Sequence, residues 1–302
     1  MPAATRVGFL RMKNDFCKII FHPQTPFVQI QSMESLTNQI STLLAKREAA
    51  PIQVQTLGSF LVHCQNEPVA AKAWGRDTSL QLFQFLVTAR HRRGLHKEQI
   101  IDRIWEDVDS KAGDQNFKVA LHGINKAIEP ERKSRTEARY ILRQGVTYQL
   151  NLKDIWIDAD AVEQFIAIGN QALTDDTKIA EIAYREALDL YHGTYLPNRL
   201  YEDWSSDERE RLQVLTLGAY ITLGELLVEK NPMESIRLAQ LALQIDAAWE
   251  DAYRIQMAAY FQKGNRPMAI KTFQQCEKVL EREFGIEPLP ETLRLLRKIK
   301  GV

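Results

Sequence analysis

The sequence predicts an α+β unit followed by an all-α repeat. Three observations predict it. Residues 51–152 place strand-like alternation on both sides of three helical stretches. Residues 153–302 are helical in period almost throughout. Within them Ala219-Tyr220 recurs as Ala252-Tyr253 and Ile236 as Ile270, spacings of 33 and 34 residues. That is the period at which tetratricopeptide-like helix pairs stack.

Residues 1–50 form an N-terminal extension whose role the sequence leaves open. "HPQTP" at 22–26 breaks the chain, and Met33, Leu36, Ile40, Leu43 and Leu44 then line one helical face. The expectation is a helix packed on a neighbouring domain, with a partner-binding arm as the other reading. From Pro51, "IQVQTLGSFLVHC" reads as paired strands, with Gly58 as a bend and "QNEP" at 65–68 as a turn. A first helix follows at about 77–90 through Leu80, Phe83, Leu86 and Val87, and a second at 97–105 through Ile100, Ile101, Ile104 and Trp105. The loop "EDVDSKAGD" leads into "DQNFKVALHGINKAI", a third helix over 114–128. Its Phe117, Ala120, Leu121, Ile124 and Ile128 share one face and should meet the core. "RYILRQGVTYQLNL" then alternates around a Gln144-Gly145 turn, a hairpin pattern. Strands, three helices and a hairpin are the order of a winged helix-turn-helix, whose third helix enters the major groove. Seven further helices are predicted at 159–172, 176–192, 206–230, 233–246, 249–263, 267–284 and 290–300.

Charge is distributed unevenly. The 302 residues hold 39 basic and 39 acidic side chains, so the formal net charge is zero. By segment, however, residues 1–50, 51–152 and 153–302 carry +3, +4 and −7. A basic middle beside an acidic half fits one domain that meets phosphate and another that meets protein. Cys17, Cys64 and Cys276 are too few and too scattered for a disulfide framework, which points to a reducing cytoplasm. No signal-peptide core and no membrane-spanning apolar run occurs.

Catalytic chemistry finds no motif. The chain lacks a phosphate-binding G-x-x-x-x-G-K-[ST] loop, a G-x-S-x-G elbow and an H-E-x-x-H helix. His22, His63, His91 and His192 show no metal-ligand spacing. No cofactor, metal or catalytic residue is therefore expected. On the third helix Gln115, Val119, His122 and Lys126 oppose the apolar face, and Lys118 and Asn125 flank them. Amides suit adenine, lysine suits guanine and valine a thymine methyl, so these six are the base-reading candidates for double-stranded promoter DNA. Arg139 and Arg143 on the wing, Lys111 in the preceding loop, and Arg92 and Arg93 in "RHRRGLHK" are the phosphate candidates. Gly123 costs helix stability, roughly 0.5–1 kcal/mol relative to alanine. It implies either close approach to DNA or packing against the wing. Trp204 is expected as an anchor between helices, and Asp203, Asp207, Glu208 and Glu210 as a solvated acidic face. Asp158 and Asp160 are expected to cap the helix they open.

Six stretches carry a resemblance: "TLGSF" at 56–60, "KEQIIDRIWED" at 97–107, "FKVALHGINKAI" at 117–128, "IWIDADAVEQF" at 155–165, "YEDWSSDERERL" at 201–212 and "FGIEPLPETLRLL" at 284–296. From about Pro51 to Gly301 the chain resembles the SARP type of bacterial transcriptional activators (Streptomyces antibiotic regulatory proteins). These join an OmpR-type winged helix to a bacterial transcriptional activator domain of tetratricopeptide-like helices. The resemblance implies a cytoplasmic DNA-binding regulator whose helical half serves regulation, dimerisation or contact with the transcription machinery. RNA polymerase, another regulatory protein and a second copy of the chain are its candidate partners. The alternative is an interaction adaptor whose winged helix binds protein instead of DNA. Family members usually carry arginines in the second half of the recognition helix, where this sequence has His122, Gly123 and Asn125.

Overall fold

The computed structural model describes residues 35–301 apart from Arg93, Asp107 and Ser134. Strands form where alternation predicts them. β1 (Ile52–Gln55) and β2 (Leu61–Cys64) pair antiparallel with Ile52 opposite Cys64, and β3 (Glu67–Pro68) extends β2. Ile52, Val54 and Val62 face inward and are buried. Gln65 and Asn66 both take positive φ, the twist a two-residue hairpin turn requires.

Next come α2 (Asp77–Thr88), the short β4 (Leu95–His96), α3 (Lys97–Ile104) and α4 (Ser110–Ile128). The hairpin of β5 (Ile141–Gln144) and β6 (Thr147–Leu150) closes the unit. β4 pairs with β6, so the wing is the edge of a three-stranded sheet in the order β4-β6-β5. This is a winged helix-turn-helix. After the wing, β7 (Ile155–Ile157) returns to the first sheet and runs parallel to β1, with Ile52 opposite Ile155. The strand that leads into the helical half is thus a member of the sheet that opens the winged helix.

The helical half stacks antiparallel pairs, as short connections require. They are α5 (Asp158–Ala172) with α6 (Thr177–Leu190), α7 (Ser206–Leu227) with α8 (Pro232–Ile245), and α9 (Glu250–Gln262) with α10 (Arg266–Phe284), followed by α11 (Pro290–Lys300). The repeat read from sequence covers the last two pairs, and its marks have physical roles. Tyr220 and Tyr253 are both buried. Asn231 and Asn265 each cap a helix whose first turn contains proline, satisfying a free N–H and presetting the helical φ. In the first pair a buried Ala-Tyr falls on the second helix, as Ala183-Tyr184 of α6, and Asp176 caps that helix in place of an asparagine.

α1 (Leu36–Ala49) lies against α5 and α6, with Ile40 buried and Leu36 and Leu43 packed on the core. Leu44, expected on that face, is exposed. Arg47 stacks over Trp156, its guanidinium carbon 5.1 Å from the ring centroid. The described part of the extension, residues 35–50, therefore packs as a helix on the helical half. Met33 lies outside the described residues.

One joint holds the two halves together, and two expectations change there. Asp158 does not act as an N-cap: it is the first residue of α5, and its buried carboxylate accepts hydrogen bonds from the backbone N–H groups of Thr56 and Leu57 at 2.8 and 2.9 Å. It also accepts from the Thr56 hydroxyl at 2.6 Å and from Ala159 N–H at 2.8 Å. Asp160 likewise reaches out of its own helix, to Arg90 and His91. Arg90, at the end of α2, has a fully buried side chain. Its Nε donates to Asp160 at 2.5 Å and an Nη to Glu208 of α7 at 2.7 Å. Glu208 is accordingly not part of a solvated face; it is three-quarters buried or more and also receives Arg211.

Around this centre the segment 192–204 wraps the winged helix. Gly58 N–H donates to Thr194 O at 3.0 Å and Leu196 N–H to Thr56 O at 2.9 Å. Gly58 is the predicted bend, with φ of 77°, and a Cβ there would lie 2.5 Å from His192 O, so only glycine fits this approach. The Tyr195 and Thr88 hydroxyls share a hydrogen bond of 2.9 Å. Trp204 meets Phe85 of α2 edge-on at 5.6 Å between centroids, the anchoring role expected of it.

Candidate nucleic-acid interface

α4 begins one turn earlier than its apolar period suggests. Asp109 caps it by accepting from Lys111 N–H and Ala112 N–H at 3.0 and 3.1 Å. Lys111 therefore stands in the first turn of the helix and not in a loop. Three contacts fix how the helix sits. Gly113 lets α3 approach so closely that a Cβ would lie 2.6 Å from Ile101. Lys97 at the start of α3 pairs with Asp114 at 2.6 Å. Phe117 packs edge-on against Tyr148 of the wing at 4.8 Å. At the far end the Glu129 carboxylate accepts from the Arg139 and Tyr140 N–H groups, tying the helix terminus to the start of the hairpin.

The apolar face is buried as its spacing predicts: Phe117, Ala120, Ile124 and Ile128 are within the core, with Leu121 partly covered. On the other side Gln115, Lys118, His122 and Lys126 are exposed, together with Lys111. At 100° per residue these five fall within an arc of about 80°. Lys111, Lys118 and Lys126 have no ion-pair partner among the described residues. Val119 is half-buried. Asn125 departs from its expected place: it is 9% exposed, and its side-chain oxygen finds no hydrogen-bond donor among the described residues. The helix packs against α2 and the Ala71–Trp74 turn along its opposite flank, where Gly123 lies.

Gly123 is explained by the same contact, and by neither of the two readings its position first suggests. A Cβ there would fall 2.3 Å from the Ser79 hydroxyl, 2.9 Å from Ser79 Cβ and 3.0 Å from Trp74 O. The glycine lets α4 lie directly on α2. Gly123→Ala should therefore destabilise the protein by about 1–3 kcal/mol through overpacking, although alanine gains roughly 1 kcal/mol of helix propensity. Equilibrium urea unfolding reads the difference, and a stabilised variant would refute the packing account.

The wing arginines are unequal. Arg139 pairs with Asp154 at 2.8 Å and leans on the Tyr140 ring, so part of its charge is answered within the protein. Arg143 is exposed, donates to Gly145 O at 2.9 Å, and lies over Tyr148 at 5.8 Å with no carboxylate partner among the described residues. Arg92 is exposed beyond α2. Arg93 lies outside the described residues. Sequence reasoning missed the long-range pairing that makes the joint, above all that of Arg90 with Asp160 and Glu208. Nothing in "RHRRGLHK" marks Arg90, in particular, as the buried member of its cluster.

Among the described residues no helix is long and apolar enough to cross a membrane, and no group of His, Cys, Asp or Glu is placed to hold a metal ion. Residues 157–300 match the family model described as bacterial transcriptional activator domain. The chain is similar in fold to Mycobacterium tuberculosis EmbR, solved in complex with a low affinity phosphopeptide, with a TM-score of 0.72 at 16% sequence identity. That match covers 83% of this chain and 65% of the other, so the chain spans a little under two thirds of that protein's length. A comparison with curated proteins finds no match in sequence.

Proposed function

We propose that the chain is a transcriptional regulator of the SARP type, since residues 157–300 match the bacterial transcriptional activator domain, and that it activates transcription by binding promoter DNA through its winged helix. α4 enters the major groove, the wing follows the phosphate backbone, and the helical half meets a regulatory protein, RNA polymerase or a second copy of the chain. The protein acts in the cytoplasm, where its free Cys64 and Cys276 stay reduced, and it works by binding and not by catalysis.

One observation carries the reading. The face of α4 turned away from the core presents Lys111, Gln115, Lys118, His122 and Lys126 in one stripe, and none of its three lysines has an ion-pair partner among the described residues. Gln115 and Lys126 supply the hydrogen-bonding geometry for adenine and guanine edges, and His122 and Lys118 extend it. The stripe contains no arginine and Asn125 is turned inward, so base reading rests on fewer groups than the sequence proposes. Grip comes from Arg143, Lys111 and Arg92, with Arg139 contributing less because Asp154 already holds it.

The test is a set of upstream fragments titrated with purified protein at several salt concentrations. Specific binding that weakens steeply with salt is expected. Lys126→Ala and His122→Ala should relax preference at the bases they face by about 1–3 kcal/mol. Arg143→Ala should weaken specific and nonspecific DNA alike. A change of preference on removing Arg143 would contradict its phosphate role. Absence of binding to any fragment at low salt would replace this proposal by the adaptor reading.

A further inference from the structure

The helical half is acidic overall, but its distal end is not. Between α10 and the end of α11 lies an open cleft of about 660 Å³ lined by Arg266, Pro267, Ile270, Lys271, Gln274 and Lys300. No carboxylate lines it. Arg266, Lys271 and Lys300 are exposed, and none has an ion-pair partner among the described residues. Arg297 and Lys298 stand in the same last turn as Lys300 and are likewise unpaired among them.

Helix stability accounts for only part of this charge. Cations in the last turn of α11 suit the negative end of its dipole. Arg266 and Lys271 stand in the first two turns of α10, where a cation opposes the dipole, and the first turn of α10 holds no acid to offset it. The opening turns of α7, α8, α9 and α11 all carry acidic residues, so α10 departs from the pattern of its neighbours. Positive charge is thus concentrated beyond what helix stability accounts for, around a floor that is partly apolar through Pro267 and Ile270.

We infer that this cleft docks an acidic segment of a partner protein, with Arg266, Lys271 and Lys300 answering its carboxylates and Ile270 and Pro267 receiving an apolar side chain between them. Charge complementarity selects the occupant. The apolar floor favours a peptide over a phosphate backbone, which offers no side chain to bury. Position favours it too: α10 and α11 pack only on α9 and each other among the principal contacts, at the end of the array farthest in sequence from the wing. The inference deepens the partner-contact part of the proposed function and rests on that part alone, independently of DNA reading.

The experiment uses the full chain and three fluorescein-labelled probes: a peptide of alternating Glu and Leu, the same peptide with Gln for Glu, and a random-sequence DNA duplex. The acidic peptide should bind at low salt, and the Gln peptide at least about tenfold more weakly. Arg266→Glu/Lys271→Glu/Lys300→Glu should weaken the acidic peptide by at least about tenfold and leave the upstream-fragment affinity within about twofold. A control that reverses exposed lysines elsewhere, Lys46→Glu/Lys153→Glu/Lys178→Glu, should keep peptide binding within about twofold, since distant exposed charges are screened. No binding of the acidic peptide overturns the inference. Equal loss in the control also overturns it, because the attraction would then be diffuse. So does a triple variant that loses the random duplex but not the peptide, since the cleft would then serve nucleic acid. Failure of upstream DNA binding in the unaltered chain, with peptide binding intact, strikes the DNA proposal only.

Discussion

Replacing Arg90 by alanine is expected to destabilise the protein by about 3–5 kcal/mol, the cost of removing one partner from a buried ion pair. The side chain has no exposed surface, and its guanidinium spans Asp160 of α5 and Glu208 of α7 from the end of α2. Without it two largely buried carboxylates stand side by side with only His91 and Arg211 to answer them. Equilibrium urea unfolding measures the loss, and a change below about 1 kcal/mol, the level of an exposed pair, would show that the joint is not built on this residue.

The same contacts set a pH dependence. Burial by itself would raise the Asp160 carboxyl, but hydrogen bonds and charge from His91 and Arg90 bring it below the usual carboxylate range. Glu208 follows the same pattern through Arg211 and Arg90. A carboxyl depressed on folding stabilises the protein above its unfolded pKa, which is about 4 for these residue types, and that stabilisation is lost as pH falls through the lower folded value. The stability gap between the unaltered chain and Arg90→Ala should therefore be constant near neutrality and narrow in acid below the ordinary carboxylate range. A gap that instead widened in acid would contradict this sign.

Asp158→Ala is expected to cost about 3–5 kcal/mol. It strips the acceptor from Thr56 N–H, Leu57 N–H and the Thr56 hydroxyl, each a buried donor whose unmet hydrogen bond costs about 1–3 kcal/mol before relaxation. Asp158→Asn keeps one oxygen in place and should lose roughly half as much. Paired unfolding curves separate the two. Equal losses for Ala and Asn would show that the charge matters and the acceptor geometry does not. The consequence for function is geometric. Asp158 joins the turn after β1 to the first residue of α5, and Arg90 joins α2 to α5 and α7. Since α4 rests on α2 through Gly123, these two residues help to hold α4 in place relative to the helical array.

Much of this was legible in the chain. The strand alternation around Gly58, the apolar stripe of Phe117, Ala120, Ile124 and Ile128, and the recurring Ala-Tyr pairs each depend on neighbours within a few residues or on one repeat period. Asp109 as the cap of α4 was equally local, but the apolar stripe starts a turn later and hid it, which left Lys111 in a loop.

The order of elements, the division into a winged helix and a helical repeat, and the stripe on α4 are written in the chain's local pattern. Those follow from periodicity, capping and turn chemistry, which act at short range. Only the tertiary structure decided which polar residues would be covered. It buried Arg90 and left Arg92 exposed in the same cluster, turned Asn125 inward, made Gly123 a packing contact and moved Glu208 from a surface face into the joint. The physical reason is range. Arg90 meets Asp160 and Glu208 across 70 and 118 residues of chain, and the burial that gives those charges their value exists only once both halves have closed on them.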